Sequence, residues 1–169
     1  MTFKVLIAVD GSIHSEYAVE WYKAHIHDTE YSVVLAHVGE PEVNPSFGFR
    51  AGIAIPREQW DLMIKEQEAK VKNLLKKHSD HLKAGGVEHI KCVAESGNAG
   101  VRLIEIAEKN KVQMIAIGTR GQGTVARTVL GSVSDYVLHH SSVPVCIIHT
   151  PDVKSRSRSG SKVKDSTQM

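Results

Sequence analysis

The sequence predicts an α/β fold, a single doubly wound domain on a parallel sheet, and three observations predict it. Short apolar runs rich in β-branched residues recur along the chain, segments with helical spacing alternate with them, and the runs are almost continuously apolar. Strands apolar on both sides need cover on both faces of a sheet, and parallel strands obtain it from their crossover helices. At 169 residues the chain is long enough for one continuous core and short for two.

The strands are expected at Phe3–Val9, Tyr31–Val38, Val87–Glu95, Val112–Gly118 and Val143–Thr150. Between the first two, Ala18, Trp21, Tyr22 and His25 share one helical face. The next and longest helix carries Trp60, Ile64, Gln67, Val71, Leu74, His78 and Leu82 on one face, with Glu66–Lys70 and Glu68–Lys72 as i,i+4 pairs on its wet side. A third helix follows from Val101, Ile104 and Ala107. Boundaries agree with this reading: Ser12 is placed to cap the first helix, Pro56 suits the first turn of the second, Gly85-Gly86 ends it, and Ser132 is placed to cap the fourth.

Two segments depart from the regular pattern. The connection Gly39–Ile55 is long, with Phe47, Phe49, Ile53 and Ile55 among small residues and prolines, and reads either as an ordered flap or contact surface or as a loop packing its own apolar residues. After a domain spanning 1–150, the tail 151–169 alternates Ser with Arg and Lys and is expected to be disordered, because it buries too little to offset the entropy of ordering it.

The net charge of +2 conceals an asymmetry. Thr150–Met169 holds five Lys or Arg against two Asp, so the rest of the chain is slightly acidic, which argues against nucleic acid as a partner. Cys92 and Cys146 sit in apolar runs without metal-ligand spacing and read as small core residues. The apolar stretch of five residues before Asp10 is too short for a signal-peptide core or a membrane span, so no membrane association and a cytoplasmic location are expected.

The segment Ile117–Ser134, IGTRGQGTVARTVLGSVS, leaves the fourth strand rich in glycine and enters a helix. In a doubly wound sheet the ligand crevice lies beyond the carboxyl ends of the strands, where Asp10 ends the first strand and Gly118 the fourth. Gly118 and Gly121 are expected to let a ribose or phosphate approach bare backbone, and Gly131 with Ser132 to present helix N–H groups to an anion. Nine residues between Gly121 and Gly131 let the chain loop out and return, with Arg120 and Arg127 inside the loop. No GxxxxGK(S/T) sequence is present, and the GxGxxA match at Gly121–Ala126 follows the fourth strand rather than the first, with His149 and Thr150 instead of an acidic residue ending the next strand, so neither a P-loop nor a dinucleotide motif is read here. Gly123 is then loop flexibility.

The pattern Gly118-x2-Gly121-x9-Gly131-Ser132, with AVDGS at the first strand and SVSDYVLHHSSVPVCII after it, resembles the universal stress protein family, in particular its ATP-binding branch. The resemblance covers about Phe3 to Thr150. It implies a five-stranded parallel sheet of order 3-2-1-4-5, which makes the first and fourth strands neighbours. It implies that Asp10 binds the ribose or adenine side, that Val38 offers backbone groups to adenine, and that Ile117 and Gly118 line the nucleoside. Gly121, Gly131, Ser132, Val133 and Ser134 would hold the phosphates of ATP, with Mg2+. A homodimer through the edge strand Val143–His149 is also implied, and two apolar edges pairing across a two-fold axis is physically reasonable.

Other constellations are weaker. His78 with His81, and His139 with His140, lack further ligands at metal spacing. His37 ends the second strand near the crevice and reads equally as a core histidine. Asp10 is the obvious carboxylate at the crevice, and hydrolysis would need a second polar group that the sequence does not supply. The expected function is therefore an ATP-binding, homodimeric stress-response regulator acting through conformation or partners. The alternatives are a slow ATPase or nucleotidyl-transfer enzyme of the related adenine nucleotide hydrolase class, whose SGGxDS loop is replaced here by DGSIHS, and a dimerising adaptor with an empty site.

Overall fold

The computed structural model describes residues 2–39, 56–119 and 130–151. The expectations for Gly121 and Gly123, for Arg120 and Arg127, for most of the Gly39–Ile55 connection and for the tail from 152 onward fall outside the described residues.

Five strands and four helices alternate among the described residues: β1 (Lys4–Ala8), α1 (Ile13–His25), β2 (Ser32–Gly39), α2 (Arg57–Ala84), β3 (His89–Ser96), α3 (Ala99–Asn110), β4 (Met114–Gly118), α4 (Ser132–His140) and β5 (Val145–Ile148). All neighbouring strands run parallel, in the order β3-β2-β1-β4-β5. This is the order expected from the sequence, and it sets β1 beside β4 through Val5↔Met114, Leu6↔Ile115 and Ile7↔Ala116.

Alternation along β1 and β2 feeds two cores. Val5, Ile7, Val33 and Leu35 pack with Ala18, Val19 and Tyr22 of α1 and with Leu75 and Leu82 of α2. Leu6, Ala8, Val34 and Ala36 pack on the other side with Leu103, Ile106 and Ala107 of α3 and Val137 of α4. The helices thus cover opposite faces in pairs, which is why β1 and β4 could be apolar at nearly every position.

Several local expectations shift by a residue or a turn. Ser12 caps α1, its Oγ accepting from the Ser15 amide at 3.1 Å, and Pro56 stands at the N-cap of α2. Ser132 does not cap α4: Gly131 occupies the cap position, and Ser132 is the first helical residue. The buried stripe of α3 is Gly100, Leu103, Ile106 and Ala107, one position round from Val101 and Ile104. His25 lies exposed, stacked on Trp21. Cys92 is exposed and Cys146 only half-buried, because β3 and β5 are the two sheet edges and lack a neighbouring strand on one side.

Candidate functional site

Where β1, β2 and β4 end together, a cleft of about 640 Å³ opens, within the range that holds small organic ligands. Asp10, Val38, Ile117, Gly118, Gly131, Ser132, Val133 and Ser134 all line it. These are all the expected site residues that the structure describes, brought together from four separate parts of the chain.

The turn from β1 into α1 orients Asp10. Its carboxylate Oδ1 accepts from the Ser12 amide at 3.0 Å, while its own amide donates to Ser15 Oγ at 3.3 Å. Gly11 between them takes φ 81°, a left-handed conformation that costs glycine little. The carboxylate is therefore held at the carboxyl end of β1 by the turn that starts the helix.

The chain leaves β4 at Thr119 and returns at Gly131, whose amide donates to the Thr119 carbonyl at 2.6 Å. The hydroxyl of Ser134 lies within reach of two carbonyls, Thr119 at 3.1 Å and Gly131 at 2.9 Å, so it ties the start of α4 to the end of β4. The first intrahelical bond of α4 runs from Asp135 N–H to the Gly131 carbonyl. The amides of Ser132, Val133 and Ser134 precede it, and among the described residues no side chain caps this end. By contrast, Ser12 caps α1 and Asn98 caps α3.

Gly118 has a different reason to be bare from the one expected. A Cβ there would stand 2.9 Å from the His14 carbonyl oxygen, so α1 itself requires the glycine, and its backbone is extended strand rather than left-handed.

Much of the cleft wall comes from residues beyond the expected site. His37 lines it, with Nδ1 2.8 Å from the Val9 carbonyl. Gln67, Lys70, Val71 and Leu74 of α2 and Ala99 and Leu103 of α3 also line it. Gln67, Val71 and Leu74 lay on the predicted apolar face of α2, but helical spacing alone does not say which end of a helix overlooks a crevice. His78, deeper on the same helix, is almost fully buried, and burial pushes its imidazole below the usual histidine range, with Lys77 adding to the effect and Glu16 and Asp10 opposing it.

Among the described residues no group of three or more His, Cys, Asp and Glu is arranged to hold a metal ion, and Asp10 is the one carboxylate in the cleft lining. No described helix is long and apolar enough to cross a membrane.

The family model for the universal stress proteins matches residues 1–149. The chain belongs to the universal stress protein family. A universal stress protein of Mycolicibacterium smegmatis is 30% identical over 154 residues, covering 89% of this chain and 49% of that protein. The chain thus spans about half the length of that curated relative. Two solved structures share the fold. A universal stress protein family protein from Arabidopsis thaliana with AMP bound superposes with a TM-score of 0.66 at 20% identity, over 92% of this chain and 97% of that one. A universal stress protein in complex with cAMP superposes with a TM-score of 0.63 at 23% identity, over 88% and 97%. Both belong, like this chain, among universal stress proteins with a parallel sheet wrapped by helices.

Proposed function

We propose that this universal stress protein binds an adenine nucleotide, ATP, in the cleft beyond β1, β2 and β4, and acts as a nucleotide-dependent regulator in stress response. The observation that carries the reading is the start of α4: amides that no described side chain caps belong to residues lining the same cleft as Asp10 and the end of β2. Such a helix end favours an anion through its unpaired N–H groups and its dipole. Ser132, exposed at the first helical position, adds a hydroxyl. Asp10 serves the ribose, Ile117 and Gly118 line the nucleoside, and Val38 meets the base. That two family members of the same fold have AMP or cAMP bound supports a nucleotide as the ligand class.

Mg2+ is read as arriving on the phosphates rather than in a protein cage. It prefers one or two protein oxygens together with phosphate and water, and Asp10 and the Ser132 hydroxyl fit that part. The ion would offset phosphate charge, while the chain's own groups orient the nucleotide.

The test is to denature the purified protein, identify any nucleotide released, and titrate the stripped protein with ATP and Mg2+ by calorimetry. Released adenine nucleotide and saturable ATP binding without phosphate release fit a regulator. Phosphate release above buffer that disappears in Asp10→Ala would favour the slow ATPase instead, and absence of binding would leave the adaptor reading.

We further propose that copies pair through β5. It is a sheet edge whose Val145, Cys146 and Ile147 remain partly exposed, and a two-fold axis would join Val143–His149 of two copies antiparallel. Light scattering is expected to give a dimer for the native chain and a monomer for Ile147→Lys; an unchanged mass in the variant would remove β5 from the interface.

A further inference from the structure

We propose that His37 selects the base of the bound nucleotide, favouring a purine with an amino group at position 6 over one with an oxo group there. The inference rests on the nucleotide reading above and deepens it.

The cleft has two unlike ends. The start of α4 is tied to the end of β4 through the Thr119 carbonyl, and phosphate charge is best met there, while Asp10 follows the central β1. The end left for the base lies over β2, on the side of β1 away from β4. Apolar walls stand there, Val71 and Leu74 from α2 and Ala99 and Leu103 from α3, on opposite faces of the sheet. Such walls suit a planar ring and are indifferent to its substituents. Discrimination has to come from polar groups: beside the backbone of Val38, the polar side chains at this end are His37, Gln67 and Lys70.

Lys70 can only donate and Gln67 can do either; His37 is the side chain the fold fixes as an acceptor. A carbonyl oxygen can only accept, so the 2.8 Å contact with Val9 puts the proton of the neutral ring on Nδ1. Nε2, the ring's other polar atom, then carries a lone pair. It lies 3.5 Å from where a Cβ on Gly39 would stand, at the strand end that lines the cleft. A 6-amino group donates to that lone pair. A 6-oxo group sets one acceptor against another, and a site built for a donor rejects an analogue lacking it far more strongly than an apolar wall would. Gln67 offers both a donor and an acceptor, so it accommodates either base. Lys70 is exposed and paired with Glu66 at 3.2 Å on its own helix.

The experiment compares ATP with ITP, which differ at position 6 and in the proton that the oxo base carries on N1, by calorimetry on the stripped full chain with Mg2+; the change of the ratio in a His37 variant, not the wild-type ratio by itself, assigns the discrimination to His37. ATP is expected to bind at least about tenfold more tightly, the scale of one productive hydrogen bond. His37→Asn keeps an N–H near the Nδ1 position for Val9 and drops the Nε2 acceptor; the ATP/ITP ratio should fall to within about threefold, mainly through weaker ATP binding. Gln67→Ala should leave the ratio in place. A purely structural role for His37 would weaken both nucleotides together and keep the ratio, which overturns the proposal, as does a wild-type ratio near one. If His37→Asn does not fold, the wild-type protein with purine riboside triphosphate, bare at position 6, carries the test: it should bind more weakly than ATP, and equal affinity overturns the proposal. Binding of neither ATP nor ITP to the wild type overturns the nucleotide reading itself.

Discussion

A methyl group at Gly118 would approach the His14 carbonyl oxygen to 2.9 Å and its carbon to 3.0 Å, and these are backbone atoms of the first turn of α1. Relief requires α1 to move off the sheet, so Gly118→Ala is expected to destabilise the protein by about 1–3 kcal/mol in urea unfolding without any ligand present. A fully stable variant would mean that the glycine serves only a ligand. A second residue-level consequence concerns pH. His78 and His27 are both held below the ordinary histidine range, chiefly by burial, and each has an Nε2 with no hydrogen-bond partner among the described residues. Their folded-state values lie below their unfolded ones, so the unfolded chain takes up protons first as pH falls. Their stabilising contribution is therefore complete above the unfolded value of about 6.5 and is lost as pH drops from there through the depressed folded values. Unfolding free energy is expected to be flat between about pH 7 and 8 and to decline below about 6.5, with a shallower decline in His78→Gln. An unchanged decline in that variant would remove His78 as a source.

At the scale of elements, α2 is two helices in one in terms of packing. Its 28 residues extend about 42 Å, far longer than the strands it crosses. Leu75, His78, Ser79 and Leu82 in its second half are buried, whereas Leu62 in its first half is 65% exposed and Met63 and Ile64 are exposed beside it. Leu82→Ala should cost about 2–5 kcal/mol, because it opens a hole beside Val5, Ile7 and Tyr22, and Leu62→Ala should stay within about 0.5 kcal/mol. Chemical denaturation of the two variants checks the contrast; a large loss at Leu62 would mean that the first half of α2 is packed in solution. The helical period along this segment was legible from sequence, since Trp60 to Leu82 keeps one face. Its depth was not, because a period of 3.6 records direction and says nothing of how far the sheet extends beneath. The same limit explains α3, where Gly100 escaped notice as a buried position: a Cβ there would meet the Tyr136 ring of α4 at 2.6 Å, a contact between segments distant in sequence.

At the scale of the molecule, the five strands and the glycine segment were legible because apolar runs and glycine spacing are local signals, whereas the strand order, which brings Asp10 and Gly118 to one crevice, followed only from the family resemblance that those motifs carry. The α2 wall of the cleft was not legible, since Gln67 and Val71 reach it only through the way a long helix crosses β2. What joins both parts is the proposed ligand, which would touch β1, β2, β4 and the start of α4 at once. Binding to the folded chain alone raises its stability by about 2.7 kcal/mol at a hundred times the dissociation constant. For a domain of this size that corresponds to several degrees in melting temperature, roughly 5–15 °C. Ser132→Asp separates this linkage from intrinsic stability. A carboxylate at the first position of α4 favours the helix dipole by about 0.3–1 kcal/mol, so the ligand-free protein should melt at the same temperature or slightly higher. The same carboxylate stands among the amides proposed to hold phosphate and repels it. The ATP-induced rise seen in the wild type should therefore vanish in a variant that is, without ATP, at least as stable. A full rise in Ser132→Asp would remove the start of α4 from the binding site, and a variant less stable without ATP would mean that Ser132 contributes to folding in a way its exposed position does not explain.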